Sequence, residues 1–322
     1  MVTGPLWISE ADVEALLDPL ALIAAVEAGF AQIEAGIILE PGSTRMNGLD
    51  RGDAYVTLYP AHAADGFAGA KILAGRPANS ALRLPEIDAV VSLVDPQTGR
   101  IAALISARML TAFRTAALTA AVLRRLMPWT PARIGLIGTG MQALAHGQML
   151  AAAGCASEFL IASARDDAER ARKAPEALMF VTSVATQVSA IAEIAATCDV
   201  IVTMSLASRP LPLGPLLPNT VIASVGPFYP HAQEIDLAIV RDAAFVVSDH
   251  PERLRGQWDG SSVLDVEAMS RVSVADLLSQ RVTPPASDIR VFLSDGRAFE
   301  DNVAATLVYR AALAQGQGQQ LP

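Results

Sequence analysis

The chain has 322 residues, of which 52% are hydrophobic and 18% are charged. This composition is typical of a globular protein, and the length allows two domains with separate cores. The net charge of −9 argues against nucleic acid and anionic membranes as partners. Cys155 and Cys198 lie in apolar surroundings, so we predict buried free thiols. No metal motif, signal peptide or membrane span is predicted, and a reducing cytoplasm is the expected compartment.

The first third of the chain predicts a helix followed by a sheet. Ser9 and Asp12 have the spacing of a helix cap, and the apolar residues between Val13 and Phe30 recur at helical intervals. Short apolar runs bounded by Gly, Pro and Asp then predict strands of a mostly antiparallel sheet. These runs are Tyr55–Leu58, Ala68–Leu73, Ala89–Val94 and Ile101–Ile105.

A long helix, Thr111–Met127, and a short linker at 128–131 precede a different pattern. Strands now alternate with helices, which predicts a parallel sheet covered on both faces. The predicted strands are Ile134–Ile137, Glu158–Ala162, Val200–Thr203, Val221–Val225 and Phe245–Val247. A last helix is predicted over 302–314, and the tail from Gly316 to Gln320 is expected to be disordered.

The strand Ile134–Ile137 runs into a Gly-x-Gly-x-x-Ala turn and then a helix. This is the dinucleotide-binding fingerprint in its required context. Gly138 allows the tight turn, Gly140 lets the backbone approach a pyrophosphate, and Ala143 lets the helix pack near the strand. The sequence therefore predicts a Rossmann domain, with Gly138, Thr139, Gly140, Met141 and Gln142 at the cofactor phosphates.

Other segments, in order and spacing, resemble the ornithine cyclodeaminase/μ-crystallin family from Arg45 to Tyr309. They include Thr111–Ala117, Gly138–Gln142, Ser224–Gly226, Gln233–Ile235, Val291–Gly296 and Glu300–Asp301. The resemblance implies an α/β fold, with a Rossmann domain over 128–299. It also implies an α+β substrate and dimerisation domain over 1–127 with 300–322, a homodimer, and a small imino or amino acid as substrate.

The residues after the second Rossmann strand bear on the choice of cofactor. An acidic residue there would favour NAD, but the positions are Ser163, Ala164 and Arg165. Arg165 can pair with a 2′-phosphate, which favours NADP(H) and leaves NAD(H) open; it can also be a solvated arginine at a helix start. Thr203 ends another predicted strand, and Ser205 and Leu206 follow it. These residues are expected to line the cofactor, or else to pack as an ordinary loop.

The resemblance assigns Arg45, Lys71 and Arg114 to the carboxylate of the substrate as catalytic and binding residues, with Arg114 also near the cofactor. A guanidinium holds a carboxylate with two hydrogen bonds, and a lysine adds a point charge and a proton source. Each residue has an alternative. Arg45 can be a loop residue, Lys71 can extend from a strand edge to solvent, and Arg114 can pair with a surface acid.

Position 228 separates the activities in this family. Members that cyclise ornithine have an aspartate six residues before the glutamate that corresponds to Glu234, whereas this chain has Phe228. A phenyl ring cannot move a proton, so the resemblance favours a reductase of cyclic imino acids. Δ1-Pyrroline-2-carboxylate or its six-membered analogue is the first candidate substrate, with NAD(P)H as the reductant and Phe228 as an apolar wall.

The alternatives are an amino acid cyclodeaminase or dehydrogenase that uses NAD⁺, and a non-catalytic protein that binds NADP and a small ligand. His231 is a candidate substitute acid. Glu234 is expected to fix its loop rather than to do chemistry.

Overall fold

The computed structural model describes residues 4–49, 52–62, 67–82, 84–127, 132–164, 168–205, 207–230, 232–258 and 272–322. Its contacts divide the chain into two compact units. The first unit is Met1–Arg114 with Arg297–Pro322, and the second is Thr115–Gly296.

The first unit is built on a mixed sheet. In the part of the chain described, its seven strands lie in the order β17-β1-β6-β5-β4-β3-β2. Only β1 and β6 are parallel, so the sheet is mostly antiparallel, as predicted. The strands are β1 (Leu6–Ile8), β2 (Thr44–Asn47), β3 (Tyr55–His62), β4 (Ala68–Gly75), β5 (Ile87–Val94), β6 (Ile101–Ser106) and β17 (Gln319–Gln320).

Helices cover one face of this sheet. Helices α1 (Glu10–Leu16) and α2 (Pro19–Glu34) meet at a 90° bend, because Asp18 caps a new helix that begins at Pro19. Helix α10 (Ala298–Gln315) packs on α2 and on the sheet, and the rings of Phe30 and Phe299 meet edge to face at 5.0 Å. No single helix in the described ranges is long and apolar enough to span a membrane, although α1 and α2 together meet that test.

The start of helix α3 (Arg108–Leu126) lies three residues before the predicted start. The carboxylate of Glu10 accepts hydrogen bonds from the backbone N–H groups of Arg108 and Met109 and from the hydroxyl of Ser106. These N–H groups have no partner inside the helix, so a distant acid caps it. The capping box predicted at Ser9 and Asp12 is confirmed.

The prediction of a disordered tail is wrong. Gln319 and Gln320 pair with Trp7 and Leu6 of β1 in an antiparallel ladder. Gly316 has a φ of 64° and ends α10 in the left-handed conformation, which turns the chain back towards the sheet. A polar, glycine-rich composition predicts disorder, but backbone hydrogen bonds to an open strand edge do not depend on side chains.

The second unit contains a parallel sheet, as predicted. Within the described ranges its eight strands lie in the order β15-β14-β16-β11-β10-β7-β8-β9. The central strands are almost wholly apolar and buried, as expected where helices cover both faces. The strands are β7 (Ala132–Ile137), β8 (Ala156–Ala162), β9 (Ala185–Val188), β10 (Val200–Thr203), β11 (Val221–Ser224), β14 (Phe245–Ser248), β15 (Val272–Ser273) and β16 (Arg290–Leu293), and a small hairpin joins β12 (Phe228–Tyr229) to β13 (Ala232–Gln233).

Helices alternate with these strands. They are α4 (Met141–Ala152), α5 (Ala168–Val181), α6 (Ile191–Thr197), α7 (Leu237–Asp242), α8 (Pro251–Trp258) and α9 (Val274–Leu278). Strand β7 lies between β8 and β10, so the order of the sheet reverses there, at the position where dinucleotides bind in such sheets. The two cysteines are buried free thiols, as predicted, and burial raises the pKa of Cys155 to about 11.

Candidate active site

Two of the three predicted cations form one buried cluster in the first unit. Lys71 on β4 places Nζ 2.7 Å from the Asp301 carboxylate on α10. Arg114 on α3 donates from Nη1 to Glu300 at 2.7 Å and from Nε to Asp301 at 3.0 Å. All four side chains are buried. The sequence had marked Glu300 and Asp301 only as a family segment, and their pairing with the cations is a finding of the structure.

The cluster balances two cations against two carboxylates. Burial lowers the pKa of Lys71, and the neighbouring Asp301 carboxylate opposes that effect. The ring of Tyr59 lies 4.7 Å from Lys71 Nζ and adds a favourable cation–π contact. Asp301 orients both cations.

Arg45 occupies a different environment. It is exposed on the edge strand β2, donates from Nε to the side chain of Asn47 at 2.8 Å, and stacks 3.6 Å from the centre of the Tyr55 ring. In the sheet register Arg45 is opposite Thr57, and Lys71 is opposite Tyr59. Residues opposite each other share a face, as do residues two apart, so Arg45 and Lys71 project from the same face of the sheet.

The glycine turn of the second unit has the geometry that a dinucleotide requires. Gly138 has a φ of 143°, and a Cβ there would come within 2.7 Å of Met204. Gly140 is the N-cap of α4, no side chain caps that helix end, and a Cβ on Gly140 would meet nothing within 4 Å. Space and uncapped backbone N–H groups at a helix N-terminus fit a pyrophosphate. Thr139 completes this turn, and Met141 and Gln142 begin the helix.

The other predicted cofactor residues lie at the carboxyl ends of neighbouring strands. Ser163 follows β8, Thr203 ends β10, and Ser205 comes two residues later. Thr203 is opposite Ser224 of β11, and both hydroxyls are buried. Arg165, Leu206 and His231 lie outside the described residues.

Glu234 is fully buried and faces the same end of the sheet. Its Oε2 accepts a 3.2 Å hydrogen bond from the backbone N–H of Gly226. A Cβ on Gly226 would come within 2.1 Å of this carboxyl group, so only glycine fits there. Burial raises the pKa of Glu234 to about 7, an effect that the nearby groups of Ser205 and Thr203 oppose. The carboxyl group fixes its loop, as the sequence suggested, and it is also poised to titrate near neutral pH.

Phe228 lines a cavity of about 20 Å³, which is room for about one water molecule. The cavity lies beyond the carboxyl ends of β11, β14 and β16, and Gly226, Tyr229, Ser248, Leu254, Leu293, Ser294 and Asp295 complete its wall. Phe228 itself is buried. Phe228 therefore forms an apolar part of this wall in the second unit, and its contact with substrate stays a prediction.

A carboxyl group, Asp295, lines the cavity beside this ring. The Tyr229 hydroxyl donates to Asp295 Oδ1 at 3.3 Å, and Arg253 Nε lies 2.7 Å from Oδ2. Asp249 accepts hydrogen bonds from the backbone N–H groups of Asp295 and Gly296, which fixes the loop. Burial raises the pKa of Asp295, Asp249 adds to that effect, and Arg253 opposes it. No functional role for Asp295 was predicted from the sequence.

The family profile for ornithine cyclodeaminase/mu-crystallin proteins matches residues 5–316. The chain belongs to the ornithine cyclodeaminase/mu-crystallin family. The resemblance found from its motifs is thereby confirmed.

Curated members of this family with different activities are similar to the chain. Delta(1)-pyrroline-2-carboxylate reductase 2 of Burkholderia ambifaria is 32% identical over 83% of this chain and 84% of its own length. L-lysine cyclodeaminase of Streptomyces rapamycinicus is 29% identical over 93% of this chain and 88% of its own. Family membership therefore leaves the reaction to be argued from the residues.

Solved structures of family members confirm the fold. The Delta(1)-pyrroline-2-carboxylate reductase of Thermococcus litoralis, in complex with NADH and L-proline, matches 98% of this chain and 100% of its own with a TM-score of 0.88 at 24% identity. An archaeal alanine dehydrogenase dimer with bound NAD matches 99% of each chain with a TM-score of 0.85 at 23% identity.

Proposed function

We propose that this protein reduces a small cyclic imino acid, such as Δ1-pyrroline-2-carboxylate, to the corresponding amino acid with NAD(P)H. The observation that carries this choice is Phe228, a buried aromatic residue at the position where cyclising members carry an aspartate. Reduction of a protonated C=N bond needs hydride and one proton on nitrogen. Cyclodeamination needs further proton transfers at two amino groups, and a phenyl ring supports none of them.

The residues of the first unit would bind the carboxylate. In this proposal Arg45, Lys71 and Arg114 hold it through charge-assisted hydrogen bonds, and Asp301 and Glu300 fix the orientation of the two buried cations. Holding the carboxylate in one place positions the neighbouring C=N carbon for attack. We assign this unit to substrate binding.

The residues of the second unit would bind the dinucleotide. Gly138, Thr139, Gly140, Met141 and Gln142 are assigned to the pyrophosphate, while Ser163 and Arg165 are assigned to the ribose end. Thr203, Ser205 and Leu206 would line the cofactor further along the sheet, and Arg114 would lie near it. When bound, NAD(P)H supplies the hydride. We favour NADPH because the three positions directly after β8 are Ser163, Ala164 and Arg165, with no carboxylate at the strand tip, where NAD-specific sites hold the ribose hydroxyl.

We also propose a homodimer formed through the sheet of the first unit. The face opposite the helices carries exposed apolar side chains, among them Met46, Ile72 and Ile101. Large exposed apolar faces mark interaction surfaces. The alanine dehydrogenase relative, which is a dimer in its structure, supports this proposal.

A second candidate, oxidation of an amino acid with NAD⁺, is favoured by one observation. Asp295 places a carboxyl group in the cavity beside Phe228, and a base is what that reaction needs. One assay series separates the candidates. We expect the purified protein to oxidise NADPH with five- and six-membered cyclic imino acids and to release no ammonia from L-ornithine or L-lysine with NAD⁺.

Each of three other results would indicate a different function. Catalytic ammonia release would establish a cyclodeaminase and refute the proposal. Formation of NAD(P)H from an amino acid, with no turnover of cyclic imines, would establish a dehydrogenase instead. Tight dinucleotide binding without any turnover would indicate a binding protein.

A further inference from the structure

The cavity beside Phe228 contains a titratable group that the proposed function has not used. We propose that Asp295 is the acid that protonates the substrate nitrogen during imine reduction. This inference rests on the proposed reductase function.

The position of Asp295 in the sheet supports this role. Ligands bind beyond the carboxyl ends of parallel strands, and the glycine turn at β7 marks the reversal of strand order where a dinucleotide crosses. Asp295 follows β16, and Phe228 and Gly226 follow β11, the strand next to it. The Phe228–Asp295 cavity thus opens at the edge of the sheet where ligands bind. Phe228 gives it an apolar wall and Asp295 a carboxyl group.

The groups that surround Asp295 also support this role. The carboxyl group faces the Tyr229 hydroxyl of β12, Arg253 of α8, and Asp249 and His250, which follow β14. Asp249 is engaged with the backbone of the loop and the Ser294 hydroxyl, whereas Asp295 reaches the cavity. Burial and the Asp249 charge raise the pKa of Asp295 above its ordinary value, which favours the protonated form that a general acid needs.

The reaction step balances. The nitrogen lone pair of the imine takes the Asp295 carboxyl proton and forms the N–H bond of an iminium ion. NAD(P)H, when bound, would supply hydride to the imine carbon; the C=N π pair then becomes the nitrogen lone pair, so the product is a secondary amine. The Asp295 carboxylate then takes a proton from water. A carboxylate left beside the ring nitrogen also stabilises the iminium cation before hydride arrives.

The test compares Asp295→Asn with Asp242→Asn in the full-length protein with NADPH and a cyclic imino acid. Asp242 is a matched control because it also pairs with an arginine Nε, at 2.8 Å from Arg241, but on the exposed surface of α7. We expect D295N to lower kcat at least 100-fold, as loss of a general acid does, and D242N to stay within twofold of the wild type. Melting curves establish that both variants are folded.

A second variant, Arg253→Gln, tests whether Asp295 is the acid that titrates in the pH profile. Because Arg253 lowers the pKa of Asp295, its removal should move the high-pH limb of the kcat/KM profile to higher pH. The substrate has its own pKa, which this variant cannot alter, so a shifted limb identifies Asp295. This result decides the question even if D295N does not fold.

The outcomes separate the two proposals. If the wild type reduces cyclic imino acids while D295N keeps its kcat and R253Q leaves the limb in place, the reductase assignment stands and the role of Asp295 is overturned. If the wild type reduces no cyclic imino acid, the proposed function fails, and the role of Asp295 falls with it.

Discussion

Lys71 Nζ lies 2.7 Å from Asp301 Oδ2, and both side chains are almost completely shielded from solvent. Removing one partner of a buried pair leaves an uncompensated charge, which costs about 3–5 kcal/mol. We therefore expect Lys71→Met to lower the free energy of unfolding by about 3 kcal/mol, measured by urea denaturation. Arg76→Met is the control, because Arg76 and Asp53 are 3.8 Å apart and largely exposed, and its cost should stay below about 1 kcal/mol. Equal losses in the two variants would contradict a structural role for the pair.

Substitution of Arg45 should weaken substrate binding without lowering stability, because Arg45 is exposed and lies outside the buried cluster. We expect Arg45→Met to raise KM for the imino acid about 10- to 100-fold, the effect of one charge-assisted hydrogen bond of about 1.5–3 kcal/mol. Its melting temperature should change little. Unaltered steady-state kinetics would remove Arg45 from the carboxylate site.

Alanine substitutions at Gly138 and Gly140 should have different effects on stability and on NADPH affinity. Gly140→Ala places a methyl group where nothing lies within 4 Å, so stability should be retained. The same methyl group would block the approach of a pyrophosphate, and we expect the Kd for NADPH to rise at least 10-fold. Gly138→Ala should lower both stability and affinity, because its Cβ would meet Met204 at 2.7 Å and its φ of 143° disfavours alanine. Fluorescence titration and melting curves measure the two effects, and normal NADPH affinity in Gly140→Ala would disprove the site.

The raised pKa of Glu234 should make the stability of the protein depend on pH. Its folded pKa of about 7 exceeds the ordinary value of 4.5, so its contribution is complete below about pH 4.5 and is lost as pH rises through 7. Glu234→Gln has no such loss. The free energy of unfolding of the variant, relative to wild type, should increase between pH 5 and pH 8 by at most about 3 kcal/mol. Glu193→Gln, at an exposed site on α6, is the matched control variant. A constant difference for Glu234→Gln would contradict the raised pKa.

Arg165→Ala tests the cofactor assignment. We expect the KM for NADPH to rise at least 10-fold while that for NADH is nearly unchanged, because only NADPH has a 2′-phosphate for the guanidinium. Arg172→Ala, at an exposed position on α5, serves as the charge-matched control. Equal effects on both cofactors would refute the role of Arg165.

Most of the fold could be predicted from local patterns. The central Rossmann strands are apolar runs ended by turn residues, and for Val200–Thr203 even the bounds are as predicted. Strand β16 was noticed as a motif but not predicted as a strand. The start of α3 depends on Glu10, almost a hundred residues away, so no local pattern marks it.

Local sequence patterns also predicted part of the candidate site. Lys71 stands out as a lysine in an apolar strand, and Arg114 as an arginine in an alanine-rich helix. Their partners, Glu300 and Asp301, come from the other end of the chain, and nothing in their own segment shows what they face. Asp295 lies in the Val291–Gly296 segment, which carries part of the family resemblance but does not show what its carboxyl group faces. Only the fold brings its carboxyl group beside Phe228.

The short ladder between β17 and β1 has a practical consequence for handling the protein. An uncovered strand edge invites pairing with another molecule, and here the last residues cover that edge. The fit is close, because a Cβ on Gly4 would collide with the carbonyl groups of Leu321 and Pro322. Deleting 317–322 should therefore increase aggregation during expression. Affinity tags at this end need a flexible spacer after Pro322, so that they do not pull the strand from its place.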